Sequence, residues 1–298
     1  MLFKRTIIAV ALAAALCQPA AAAPQPLEIE PSSPWTLKYN PERCNLMREF
    51  GSGSSKVHLE IISFGSWTGF EVLLTGPAIH KTESISGTVK VRLAGDPEES
   101  KAATFQGTAG QYGAMLFGLR FVPFQDRAAF DKLSDEDQAL HETELWTPAP
   151  DYDATVDSIS VHQSRGGVLE LKTGNMAKPL AALRTCVDAL NKSWGADPSV
   201  QKTLSRSAKP KEATVMDVQA NFPEKMADNG INGYVPVRVA MDAAGNASNC
   251  TIQLENVQAD FAQAACKNLT GKFDHALDKQ GHPVQSIYET NVIYQIAE

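Results

Sequence analysis

The chain has little of what metal, redox, phosphate and nucleic-acid chemistry requires. Its 298 residues include five cysteines and six histidines. No C-x2-C or C-x4-C pair occurs, which excludes the usual zinc-site spacings. His58, His80, His141, His162, His275 and His282 show no ligand spacing either. There is no H-E-x-x-H, phosphate loop or dinucleotide fingerprint. The nearest approaches to a nucleophile elbow, Gly51 to Ser55 and Gly65 to Gly69, both miss G-x-S-x-G. Basic residues are also short: 27 Lys and Arg stand against 34 Asp and Glu, a net charge of −7. That balance gives no electrostatic footprint for nucleic acid or anionic lipid. The apolar run Ile7 to Leu16 falls below the roughly 20 residues a spanning helix needs, so no stable membrane insertion is expected. This reading assigns no catalytic residue, no metal and no cofactor.

The first 23 residues have the layout of a cleaved secretory signal. A basic start (Lys4, Arg5) precedes the apolar run, and small residues follow at Ala20 to Ala23. Cleavage is expected after Ala22 or Ala23. Leu16 stands where a lipidated cysteine would need a small neighbour, so Cys17 is expected to leave with the signal. Removing this segment takes away two cations and no acid, which moves the net charge from −7 to −9. Cys44, Cys186, Cys250 and Cys266 remain. An even count in an exported chain argues for two disulfides, for which three connectivities exist. Local pairing, Cys44 with Cys186 and Cys250 with Cys266, keeps one bridge in each of two expected domains.

Those domains are a β-rich unit over 24–196 and a small α+β unit over 215–298. A polar, basic stretch over 197–214, with Lys202, Arg206, Lys209 and Lys211, reads as a solvated linker. In the first unit, Val57, Leu59 and Ile61 alternate with polar residues, as do Val89, Val91 and Leu93; period two marks half-buried strands. Further strands are expected at 70–75, 115–124, 156–162 and 168–172. Helices are expected over 126–142 and from Pro179 onward, the latter placing Leu180, Leu183, Val187 and Leu190 on one face. A Cys44–Cys186 bridge would clamp that helix to the first strand, closing a loop of about 140 residues worth roughly 5 kcal/mol in the chain-entropy model. Three other clusters have simple structural readings. His141 to Glu144 reads as a solvated helix face, and Asp151 and Asp153 around Tyr152 read as a turn. Trp35, Trp67, Trp146 and Trp194 read as core or junction residues, with a shared pocket as the alternative.

In the second unit the order is helix, strand, strand, helix, strand. Asp242 to Gly245 supplies the hairpin turn between Tyr234–Met241 and Ala247–Leu254. Asp260 to Leu269 places Phe261, Ala265 and Leu269 on one helix face. Pro236 cannot donate within a ladder, so it must face an unpaired side or begin the paired region. The last strand, Ser286 to Tyr294, is expected at an edge.

Six features carry a family resemblance, the Asp242 to Gly245 hairpin turn among them. Phe222 and Pro223 open a helix, Gly230 and Gly233 precede a strand, Val235, Val237 and Val239 alternate, Phe273 follows the second helix, and a polar turn runs from Asp278 to Val284. Together they resemble the C-terminal domain of the TonB family of energy-transducing periplasmic proteins. The resemblance implies a periplasmic location in a Gram-negative bacterium and interaction with an envelope protein. Energy transducers of that family also keep a membrane helix and a proline-rich spacer, where this chain has the expected cleaved signal and β-rich unit, so energy coupling of its own is not expected. The expected mechanism is strand addition of an envelope protein or extended peptide to the terminal edge, at Ser286, Tyr288, Thr290, Val292 and Tyr294. The alternatives are an envelope enzyme or small-ligand binder with its site in the β-rich unit, and a structural envelope protein or a homodimer joined through the terminal strand.

Overall fold

The computed structural model describes residues 25–82, 85–130, 132–133, 147–163, 167–212, 214, 218, 221–270 and 273–296. The signal segment, His141 to Glu144, Trp146 and the far part of the helix expected over 126–142 lie outside the described residues.

The protein is α+β and strand-rich. Ten strands form one large curled sheet: β1 (Leu27–Ile29), β2 (Thr36–Asn40), β3 (Arg43–Phe50), β4 (Val57–Ser63), β5 (Gly69–Gly76), β6 (Ile85–Leu93), β7 (Ser100–Ala109), β8 (Tyr112–Arg120), β9 (Ile159–His162) and β10 (Val168–Leu171). Their spatial order is β1-β10-β9-β6-β7-β8-β5-β4-β3-β2. All neighbours are antiparallel except β1 and β10. The alternation read in the sequence sets the inward face: Val57, Leu59, Ile61, Val89, Val91 and Leu93 are all buried. Strand β8 starts and stops earlier than expected, and its last residue, Arg120, lies opposite Gly69, where its partner β5 begins. Phe121 and Val122 then turn into the core, and helix α1 (Phe124–Phe130) follows. The strand expected from Val156 begins at Ile159, after the helical turn α2 (Pro150–Asp153).

Helix α3 (Ala177–Ser193) carries Pro179 in its first turn, where a missing N–H costs nothing. Leu180, Leu183, Val187 and Leu190 are fully buried in the same core as the sheet. The Cys44–Cys186 disulfide ties this helix to β3.

The stretch between α3 and the last part of the chain is tied down at several points. It contains the short helix α4 (Pro198–Gln201), a bridge from Arg206 to Leu277, and the two-residue strand β11 (Lys209–Pro210). Ala208 belongs to a second hydrophobic core, built on the C-terminal elements. These are α5 (Glu224–Asp228), β12 (Gly233–Met241), β13 (Ala247–Ile252), α6 (Ala259–Leu269), the short strands β14 (Phe273–Asp274), β15 (Ala276–Leu277) and β16 (Pro283–Val284), and β17 (Ser286–Tyr294). Strand β11 pairs with β14, and β15 with β16. The main C-terminal sheet has the order β13-β12-β17. Val235, Val237 and Val239 face α6, whose Phe261, Ala265 and Leu269 are buried against them. The Cys250–Cys266 disulfide joins β13 to this helix.

The opposite face of the C-terminal sheet meets the large sheet. Tyr234 packs on Phe105 with ring centroids 5.5 Å apart. Gln253 donates from Nε2 to the Phe64 carbonyl at 2.7 Å, and Arg43 donates to the Gln253 carbonyl at 3.0 Å. Arg238 binds Glu42 through Nη2 at 3.0 Å and lies 4.4 Å above the Trp194 ring.

Candidate functional site

Strand β17 is a sheet edge: among the described residues no strand pairs with its far side. Which of its main-chain groups face outward follows from Pro236 on the central strand β12. In an antiparallel ladder a residue directs its N–H and C=O to the same side, and successive residues alternate. The Pro236 carbonyl accepts from the Gln253 amide at 3.0 Å, so its ring nitrogen also points toward the β13 side. There β13 has already ended at Ile252, and no ladder donor is lost. Residues 236, 238 and 240 therefore face β13, while Val235, Val237 and Val239 face β17. Their register partners are Val292, Thr290 and Tyr288. Those three positions use their main-chain groups inside the sheet. Ile287, Glu289, Asn291 and Ile293 present theirs to the open edge.

The side chains divide in the same way. Ser286, Tyr288, Thr290, Val292 and Tyr294 point to the core face. Val292 and Tyr294 are buried, Tyr294 stacks on Phe261 at 5.0 Å, and Tyr288 meets Phe273 edge-on at 5.3 Å. This face holds the sheet on α6. Glu289 and Asn291 instead point toward the large sheet, and Ile293 is among the most exposed apolar residues. The outward residues could be found from the sequence only by fixing which strand flanks β17, since period two alone does not tell inside from outside.

Beside this edge lies a cleft of about 1580 Å³ between the two cores. Ile287 to Asn291 form one wall, and Gly65 to Glu71, Gly118 to Arg120 and the 201–212 stretch line much of the rest. Asn291 donates from Nδ2 to Glu71 Oε1 at 2.8 Å. Burial raises the Glu71 carboxyl above its ordinary range, and Tyr234, Asn291 and the charge of Arg120 offset part of that rise. The Tyr234 hydroxyl is buried beside the same carboxyl without a hydrogen bond of normal geometry. Burial pushes Glu289 up to about 8, with Arg238 pulling the other way. The Glu289 carboxylate rests against Gly65, where a Cβ would collide with it. Surface area leaves Glu289 half-buried while its surroundings enclose it. Both describe a carboxyl on the concave wall of the cleft.

The other polar clusters are engaged in structure. Asp153 turns inward to Arg184 while Asp151 is exposed, so the two do not face each other as paired carboxylates. Tyr152 donates to Asp96 at 2.8 Å, and Asp96 pairs with Arg127. Trp35 lies under Arg48, Trp67 donates to Asp188 at 2.7 Å, and Trp194 lies under Arg238; they line no common pocket. Among the described residues no group of three or more His, Cys, Asp or Glu could hold a metal. Nor is any helix there long and apolar enough to cross a membrane.

Residues 218–296 match the family model of the Gram-negative bacterial TonB protein C-terminal. The match covers roughly a quarter of the chain, the same part in which β17 and its cleft wall lie. No curated protein and no solved structure matches the chain at a significant level.

Proposed function

We propose that this chain is a periplasmic protein-interaction module of the Gram-negative envelope, taking up an extended segment of an envelope protein by strand addition along β17. The observation that carries the reading is the row of main-chain groups at Ile287, Glu289, Asn291 and Ile293, unpaired among the described residues and running along a cleft wall formed by Ile287 to Asn291, within a segment that matches a family of envelope-interacting domains. An open edge offers a ready template for an incoming strand, and main-chain hydrogen bonds supply affinity with little demand on sequence. Ser286, Tyr288, Thr290, Val292 and Tyr294 serve this edge from behind, by fixing the strand on α6. Transmission of inner-membrane energy is not part of the reading, because a folded ten-stranded sheet stands where energy transducers of the resembled family carry a proline-rich spacer.

Asn291→Pro tests it. The substitution removes one edge donor without taking a donor from the β12–β17 ladder. Titration of the exported, oxidised chain with a labelled nine-residue peptide of alternating valine and threonine, norleucine at its centre, should show binding. Asn291→Pro should weaken it by about tenfold, the loss of roughly one hydrogen bond plus backbone misfit. Asn291→Ala keeps the N–H and controls for the side chain. Equal affinity for the proline variant and the alanine control, with circular dichroism unchanged, would remove strand addition at β17 as the function.

A further inference from the structure

We propose that the cleft selects an extended peptide bearing a single arginine or lysine placed opposite Glu289, a selectivity that rests on the strand-addition reading above. In a paired strand the residue directly across lies with its Cβ about 4.5–5.5 Å away and its side chain on the same face. A strand added to β17 therefore directs the residue opposite Glu289 toward the same corner of the cleft. That corner contains an uncompensated acid. No hydrogen bond or ion pair holds Glu289 among the described residues, and Arg238, the cation that attracts it from β12, is already engaged by Glu42 through two nitrogens. Gly65 on the facing loop leaves room for the carboxylate, which a side chain there would obstruct. Glu71 on β5 lies one pleat along, bound to Asn291, and adds a second acid on the same side.

The remaining cations of the cleft argue for one basic residue and not a run of them. Arg127 pairs with Asp96, Lys202 with Asp188 and Lys211 with Asp274, and Arg120 acts on Glu71. Lys101 and Lys209 also line the cleft, so further cations on the peptide would meet like charge. Positions two residues to either side on the same face would meet Ile287 and Asn291, which suits an apolar residue on one side and a polar one on the other. Burial favours the protonated form of Glu289, so binding an arginine favours release of that proton. Arg238 from β12 opposes the effect of burial, and Glu71 and Arg120 are charged groups that line the same cleft.

The test uses the intact oxidised chain and three nine-residue peptides of one alternating valine and threonine sequence, with arginine, norleucine or glutamate at the centre, followed by fluorescence anisotropy. The arginine peptide should bind about tenfold tighter than the norleucine peptide, and the glutamate peptide more weakly than either. Its advantage should grow as pH rises from about 6 to 8, by at most about tenfold per unit, while the norleucine peptide shows no such rise. Glu289→Gln should bring the arginine peptide down to the norleucine value and abolish the pH dependence. Equal binding of all three peptides by the native chain would overturn cation selection and leave strand addition standing. No binding by any peptide would overturn both.

Discussion

Replacing Arg238 with methionine should loosen the joint between the two cores. The guanidinium is nearly buried, with its side chain 7% exposed, whereas Glu42 retains 25%. It binds Glu42 at 3.0 and 3.2 Å, reaches Thr251 Oγ1 at 3.2 Å and covers the Trp194 ring at 4.4 Å. Methionine keeps most of the apolar stem, so the loss is chiefly charge. Removing one member of a fully buried pair costs about 3–5 kcal/mol, because the partner is left charged in a dry site. Glu42 can regain some water, which lowers that figure; the lost cation–π contact adds about 0.5–2 kcal/mol. The expected destabilisation is about 2–4 kcal/mol, read from urea denaturation of the oxidised chain. A double-mutant cycle with Glu42→Gln isolates the pair and should give a coupling of about 1–2 kcal/mol. A coupling below about 0.5 kcal/mol, the range of exposed ion pairs, would refute the reasoning and make the contact incidental to the joint.

Two further outcomes follow from the covalent and electrostatic features. Cys250→Ala should destabilise the C-terminal part by about 3 kcal/mol and Cys44→Ala the large sheet by about 5 kcal/mol in the chain-entropy model, since the bridges span 16 and 142 residues; denaturation of each variant beside the native chain checks the ranking. The raised Glu289 carboxyl holds an extra proton in the folded state between its ordinary value of about 4.5 and about 8, so its contribution is present at the lower pH and is lost as pH rises. The native chain should therefore lose stability between about pH 6 and 8 that Glu289→Gln retains, and identical pH slopes for the two would contradict this.

Much of the fold was legible where one face of an element is apolar. The stripe Leu180, Leu183, Val187 and Leu190 gave α3, and alternating valines gave β12 together with the face it buries. Strand β7 was not legible, because its residues Lys101 to Gly107 are mostly small or polar, and Phe105 packs across the joint on Tyr234. Strands β2 and β3 were missed as well. Leu37 and Tyr39 on β2 are exposed, and in β3 consecutive residues Cys44, Asn45 and Leu46 are all buried, which erases period two. The terminal strand is read over 286–294, as observed, but period two does not say which of its faces is inward: of the residues singled out there, Ser286, Val292 and Tyr294 are buried, while Tyr288 and Thr290 are half-buried and line the cleft. The cleft itself was out of reach. Glu42 meets Arg238 across 196 positions, and Glu71 meets Asn291 across 220, contacts that no local spacing encodes.

The most direct measurement is residue-resolved amide hydrogen exchange on the intact oxidised chain, alone and saturated with the arginine-centred peptide. If an extended segment adds to β17, the amides of Ile287, Glu289, Asn291 and Ile293 gain protection together. Those of Tyr288, Thr290 and Val292, already bonded to β12, change little. Protection gained at the β13 edge, at β2, or nowhere along β17 would contradict the account.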